Sequence, residues 1–78
     1  PCLRMAYEAG RAGGSAPVVF NAANEAAVER FLRGEIPFLG IEDTIAAMLD
    51  RFAPEPVETY EAIAELDARV RREAAALR

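Results

Sequence analysis

The stretch of sequence that decides the fold begins Ala16-Pro17-Val18-Val19-Phe20-Asn21-Ala22-Ala23-Asn24-Glu25-Ala26-Ala27-Val28. It continues to Arg33. Apolar side chains recur in it at intervals of three and four residues, the spacing that places them on one face of an α-helix. Ser15 stands where a helix N-cap is expected, and Pro17 falls in the first turn, where its missing N–H costs nothing. We therefore predict a helix over residues 16–33. Its buried stripe comprises Ala16, Val19, Phe20, Ala23, Ala27 and Phe31, and is widened by Val28 and Leu32.

The same residues allow a second interpretation. Val18, Val19 and Phe20 are residue types enriched in strands, and a helix could then begin at Asn21, with the Asn side chain as its cap. A strand needs a partner, however, and the chain has no second β-rich run that could supply one. We prefer the single helix and leave its start, at Ala16 or at Asn21, open.

Glycine and proline divide the remaining sequence into three more helical segments. Gly13-Gly14 is placed to end the first of them, and Thr59 is placed to cap the last. The predicted segments cover residues 2–12, 42–52 and 60–77. Together the four segments predict an all-α fold, either a small four-helix bundle or an orthogonal helical array, as a single domain over residues 1–78. We expect aromatic side chains to fill its centre, namely Phe20, Phe31, Phe38 and Phe52.

Composition excludes several classes of protein. The 78 residues contain nine Arg and thirteen acids, for a net charge of −4, and they contain no His. Because binding to phosphates needs clustered positive charge, an acidic chain is a poor nucleic-acid binder. With no His and one Cys, the chain lacks the ligands of a Cys/His zinc site and the side chain for histidine acid–base catalysis. No apolar run approaches the roughly 20 residues of a membrane span.

The two ends of the chain support further expectations. We expect Cys2, the single cysteine, to be a small buried hydrophobic residue in a reducing, cytoplasmic compartment. The chain begins with Pro1 rather than Met, so we expect it to be a piece of a longer protein. Basic residues near the other end are interpreted as the solvated last turns of a helix. They are Arg69, Arg71, Arg72 and Arg78.

Two groups of residues resemble ligand sites but are better explained without a ligand. The glycine-rich residues 10–15 precede a helix, but a phosphate-binding loop follows a strand, whereas here a helix comes first. Glu25 and Glu29 lie one helical turn apart, yet a di-iron bundle needs repeated Glu-x-x-His motifs. We predict a helix-to-helix turn at the first group and, at the second, an ordinary surface ion pair of Glu29 with Arg33.

The asparagines are the residues that a helix explains least well. An Asn side chain competes with the backbone for hydrogen bonds, so it is disfavoured inside a helix. Asn21 is explained if it caps a helix. If Asn21 and Asn24 both lie inside a longer helix, their amides need partners, in a neighbouring helix or in another domain. We predict that Asn21, Asn24 and Glu25 form an interdomain contact.

The residues quoted above carry a resemblance to a known family. The segment 16–28 and its continuation to Ile41 resemble the C-terminal helical domain of the 1-deoxy-D-xylulose 5-phosphate (DXP) reductoisomerases. That family typically reads A-P-x-x-x-N-A-A-N-E-x-A-V-x-x-F-L-x-x-x-I-x-F-x-x-I in this region. Residues 3–14 and 59–72 are similar to the flanking parts of the family's domain, although more loosely. The resemblance therefore covers nearly the whole chain.

The resemblance implies chemistry that lies outside these residues. Members of the family are homodimers of a longer chain, and they convert DXP to 2-C-methyl-D-erythritol 4-phosphate in the non-mevalonate isoprenoid pathway. They use NADPH as reductant and require Mg²⁺ or Mn²⁺. No catalytic, cofactor-binding or metal residue of the family falls in this domain. The resemblance thus implies a non-catalytic domain of a cytoplasmic oxidoreductase, inactive alone, whose partners are the other domains of the same chain and neither nucleic acid nor membrane.

The alternative is a stand-alone helical protein-interaction module. Its basis is a heptad-like apolar stripe in the last predicted helix, which could pair with a partner helix. The stripe consists of Ile63, Leu66, Val70, Ala74 and Leu77. The gene upstream of Pro1 discriminates between the two hypotheses, since a reductoisomerase would show a long reading frame with a glycine-rich nucleotide fingerprint.

Overall fold

The computed structural model describes residues 2–77 apart from the side chain of Cys2. The predicted burial of that side chain, and the predicted role of Arg78, lie outside the described part. Residues 2–77 form four helices and no strand. The helices are α1 (Cys2–Ala12), α2 (Ala16–Leu32), α3 (Leu39–Arg51) and α4 (Tyr60–Ala76). The prediction of a small all-α fold is confirmed.

The helix α2 begins at Ala16, so Val18, Val19 and Phe20 are helical and the strand interpretation is wrong. Ser15 does not cap the helix with its side chain, contrary to prediction. Instead, the backbone N–H of Glu55 donates to Ser15 Oγ at 2.8 Å, and the Ser15 N–H donates to the Glu55 carbonyl at 2.9 Å. This reciprocal pair ties the start of α2 to the α3–α4 connection and satisfies the buried hydroxyl.

The helix α3 begins at Leu39, rather than at the predicted residue 42. Its first turn is closed by the N–H of Gly40, which donates to the Pro37 carbonyl at 2.8 Å. A Cβ at Gly40 would lie 3.2 Å from the Cβ of Ile36, so the missing side chain lets the turn fold tightly against the preceding residues. Gly40, a residue type that usually interrupts helices, therefore lies within α3.

The core lies between α2 on one side and α3 and α4 on the other. Alanines of α2 contact both neighbours, and Ala22, Ala23 and Ala27 are fully buried. Because alanine is small, the helices approach closely, and the remaining space is filled by mid-sized side chains. The largest fully buried apolar side chains are Val19, Ile45, Met48 and Val70.

The aromatic side chains do not fill the centre, contrary to prediction. Phe20 and Phe52 are half-buried at the edge of the core. Phe31 and Phe38 are 36% and 68% exposed, and their rings meet edge to face with centroids 5.6 Å apart. The physical reason is the close approach of α2, which leaves no room for a ring without forcing the helices apart.

The helix α4 uses its apolar stripe inside the domain. Thr59 caps it as predicted, since its Oγ1 accepts the N–H of Ala62 at 3.0 Å. Leu66, Val70 and Ala74 are buried in the core. At the C-terminal end of α4, Arg30 of α2 donates from Nη1 to the carbonyl oxygen of Ala74 at 2.9 Å and to that of Leu77 at 2.7 Å. Three residues of the stripe that suggested an external partner therefore pack inside the domain, whereas Ile63 is 36% exposed. No helix within residues 2–77 is long and apolar enough to cross a membrane.

Candidate interdomain contact on α2

The three predicted contact residues lie on one side of α2. An α-helix turns by about 100° per residue, so Asn21, Asn24 and Glu25 project within the same third of the helix circumference. Asn21 and Glu25 are exposed, and Asn24 is half-buried. The intervening Ala22 and Ala23 point the opposite way and are buried. The structure thus brings the three polar side chains together on the side of α2 that faces away from the core.

Glu25 is held by an arginine of α4. Arg71 Nη2 donates to Glu25 Oε1 at 2.7 Å, and Arg71 Nε donates to Asp67 Oδ2 at 2.7 Å. These carboxylates, Asp67 first and Glu25 second, raise the pKa of Arg71 above its ordinary value through hydrogen bonds. Since all three side chains are partly exposed, the network contributes little to stability and mainly orients the carboxylate of Glu25 along the edge of α2.

The two asparagines differ from Glu25 in having no such partner. Neither side-chain amide forms a hydrogen bond to any other residue within 2–77. Both lie well inside a helix of 17 residues, where Asn is intrinsically unfavourable. The isolated fold therefore gives no physical reason for Asn at either position, which leaves two donor–acceptor amides open on the surface.

The residues of this site do not fit a metal or a nucleotide. Glu29, the second acid of the candidate metal pair, forms an ion pair with Arg33 as predicted. Among the residues that the structure describes, no group of three His, Cys, Asp or Glu side chains could hold a metal ion. The glycine-rich residues 10–15 join two helices, whereas a dinucleotide turn follows a strand. The described residues of this site therefore supply neither the ligands of a metal ion nor the turn that holds a nucleotide.

Sequence reasoning missed the apolar residues on the same side of α2. Val28 and Leu32 were expected to widen the buried stripe, but Val28 is only half-buried and Leu32 is 76% exposed. They continue the line of the asparagines, since the spacings along Pro17, Asn21, Asn24, Val28 and Leu32 are four, three, four and four. None of these five residues is charged. Uncharged residues at this helical spacing could have indicated a second face of α2 from the sequence alone.

These features define an all-α domain whose central helix exposes apolar side chains and neutral amides, beside one paired carboxylate, on the side that faces away from the core. The family model that matches the chain is described as the DXP reductoisomerase C-terminal domain, and the match covers residues 1–73. The chain therefore belongs to the DXP reductoisomerase family. No solved structure matches it.

Curated relatives agree with this assignment. The protein named 1-deoxy-D-xylulose 5-phosphate reductoisomerase from Geobacillus kaustophilus is 56% identical over 70 residues, which are 90% of this chain and 18% of that protein. The protein of the same name from Moorella thermoacetica is 48% identical over 77 residues, 99% of this chain and 20% of that protein. The one from Exiguobacterium sibiricum is 67% identical over 49 residues, 63% of this chain and 13% of that protein. The chain thus spans about a fifth of the length of the first two relatives.

Proposed function

We propose that these residues form the non-catalytic C-terminal domain of a reductoisomerase that converts DXP to 2-C-methyl-D-erythritol 4-phosphate with NADPH, in the non-mevalonate isoprenoid pathway. The observation that carries the proposal is the family match over residues 1–73, together with relatives that are named as DXP reductoisomerases. The proposal assigns NADPH, the divalent cation and the substrate to the remainder of a longer, homodimeric, cytoplasmic chain. The domain's own role is to pack against that remainder and support it.

The proposed division of labour gives a direct expectation for activity. The 78-residue chain, mixed with NADPH, Mn²⁺ and DXP, is expected to consume no NADPH, because none of its described side chains is arranged for hydride transfer or metal binding. The longer polypeptide encoded by the same gene is expected to consume NADPH only when DXP is present. The measurement is the NADPH absorbance over time, with DXP omitted as the control. Enzyme-like consumption by the short chain, or none by the long one, would contradict the proposal.

For the site itself, the proposal is that Asn21, Asn24 and Glu25 contact the remainder of the polypeptide. The support is physical: two amides that have no hydrogen-bond partner within residues 2–77 share the open side of an alanine-rich helix with one oriented carboxylate. Such amides can form hydrogen bonds with backbone N–H and carbonyl groups, which any neighbouring loop presents. The docked domain would thereby be fixed in one orientation.

Replacing Asn21 with Ala distinguishes an isolated surface from a docked one. In the 78-residue chain, Asn21→Ala is expected to stabilise the fold by up to about 0.7 kcal/mol, because Ala is the better helix former. In the longer polypeptide it is expected to weaken docking by about 1–3 kcal/mol, because the partners of the amide are left unsatisfied. Chemical denaturation of both polypeptides, followed by circular dichroism, gives the two values.

The control for this comparison is Asp50→Ala, which removes an exposed, short polar side chain from the last turn of α3. Its effect is expected to be the same in the short and the long polypeptide. If Asn21→Ala also changed the stability of the two polypeptides equally, the proposed contact at Asn21 would be refuted.

A further inference from the structure

We infer that a continuous uncharged surface on α2, together with the aromatic pair beside it, is covered by an apolar surface of the same polypeptide outside these 78 residues. The inference rests on the proposed function and deepens it, since it places the docking surface and states the chemistry of its partner. We call this surface the α2 open face. It is formed by Pro17, Asn21, Asn24, Val28, Phe31 and Leu32, and by Phe38 and Leu39 next to them.

None of the residues that define the α2 open face is charged, although Glu25 lies beside them on the same side of the helix. The acids nearest to it, Glu25 and Glu29, lie along its edge, where Arg71 and Arg33 pair with them. A helix surface that remains in water is usually covered with charged residues, particularly in a chain with 28% charged residues. A row of apolar side chains and two neutral amides is instead typical of the centre of an interface, from which charges are depleted.

One end of the α2 open face exposes large apolar side chains as a cluster. Leu32, Phe38 and Leu39 are 76%, 68% and 70% exposed, and Phe38 packs edge to face on Phe31. Single exposed apolar residues are common on protein surfaces, but contiguous groups mark sites of interaction. Aromatic side chains with little conformational entropy to lose are also the residue types that anchor interfaces. This end is therefore the expected anchor of the docked domain.

The position of α2 explains why such a face is open in this chain. The helix contacts α1, α3 and α4, so it is the central element of the domain, and apolar side chains lie on all of its sides. A helix that is apolar on all sides is normally buried on all sides. The domain, however, is only 16 Å across in its shortest dimension, which is the depth of about two packed layers of helices. Neither layer covers the side of α2 on which Asn21 and Leu32 are exposed.

The remainder of the polypeptide is the occupant that fits this uncovered side of α2. The relatives are about five times longer than this chain, so about four fifths of such a protein lies outside the residues described here. The covering surface must be uncharged where it meets the row from Pro17 to Leu32, and it must present backbone or side-chain hydrogen-bond groups to Asn21 and Asn24. A second copy of the domain is the competing occupant, and the experiment separates the two.

The test is hydroxyl-radical footprinting of the 78-residue chain and of the longer polypeptide encoded by its gene. Labelling of Phe31, Leu32 and Phe38 is expected to fall several-fold in the longer polypeptide. In the short chain the same residues are expected to be labelled at every protein concentration. Equal labelling in the two polypeptides would overturn the inference. Protection that appears in the short chain as its concentration rises would also overturn it, in favour of a second copy.

A matched pair of variants makes the test specific to this face. Leu32→Arg and Leu3→Arg each place a charge at a leucine that is 76% or 83% exposed, so both short chains are expected to fold like the parent chain. In the longer polypeptide, Leu32→Arg is expected to restore the labelling of Phe38 to its rate in the short chain, whereas Leu3→Arg is not. The same effect from both variants would contradict the placement of the surface on α2.

The outcome for the surface is independent of the outcome for the reaction. A longer polypeptide that consumes NADPH with DXP while Phe31 and Phe38 stay fully labelled would refute only the surface. A polypeptide in which the surface is protected but no DXP-dependent consumption occurs would refute only the proposed function.

Discussion

Replacing Ile45 with Ala is expected to lower the free energy of unfolding of the 78-residue chain by about 2–5 kcal/mol. The Ile45 side chain is fully buried in the core between α2, α3 and α4, so its removal leaves a cavity there. A domain of this size has a total stability of about 4–12 kcal/mol, so the substitution is expected to remove a large fraction of it. Urea denaturation followed by circular dichroism measures the loss.

Two variants calibrate this result. Ile45→Val removes one methylene equivalent and is expected to cost about 0.5–1.5 kcal/mol. Leu39→Ala, in the same helix but at a side chain that is 70% exposed, is expected to change stability by less than about 0.5 kcal/mol in the 78-residue chain. Equal losses at Ile45 and Leu39 would show that the core does not lie where the structure places it.

The second large effect is expected at Gly14. Its φ of +56° is a left-handed backbone conformation, and a Cβ there would lie 2.6 Å from the carbonyl oxygen of Glu55. That oxygen accepts the N–H of Ser15, so relieving the clash breaks the reciprocal pair between Ser15 and Glu55. The backbone strain and the lost hydrogen bonds together are expected to cost about 3 kcal/mol or more in Gly14→Ala.

Gly13 is the matched control for Gly14. Its φ of +69° is equally left-handed, but a Cβ there would meet nothing within 4 Å. Gly13→Ala is therefore expected to cost only the backbone strain of about 1–2 kcal/mol. The difference between the two variants in denaturation midpoint isolates the clash with Glu55, and identical midpoints would be inconsistent with the described contact.

The number of helices and most of their ends could be predicted from the sequence, because they depend on local rules. The left-handed turn at Gly13-Gly14 and the cap at Thr59 are determined by a few neighbouring residues. The role of Ser15 could not be predicted, because its partner Glu55 lies forty positions away and is brought near only by the fold. A serine before a helix predicts a cap, and the tertiary contact overrides that local preference.

Only the polar residues of the candidate site could be predicted from the sequence, because its apolar residues are of the same types as those in the core. Asn21 and Asn24 violate helix propensity, so they could be identified from their residue type alone. Val28, Phe31 and Leu32 are apolar and fall at helical spacing, so they were assigned to the buried stripe. Since α2 is apolar on all sides, hydrophobic periodicity does not distinguish its core side from its open side. Only the packing of α3 and α4 shows which side is left uncovered.

The attachment of α1 has a consequence for the dynamics of the domain. This helix contacts α2 and α3 but, within the described residues, not α4, and it joins the rest through Gly13-Gly14. Its detachment would leave the three-helix core around Val19 and Met48 in place, so it costs less free energy than unfolding the domain. Amide hydrogens of α1 would then exchange with solvent by local opening. Those of the central helix would exchange only when the whole domain unfolds.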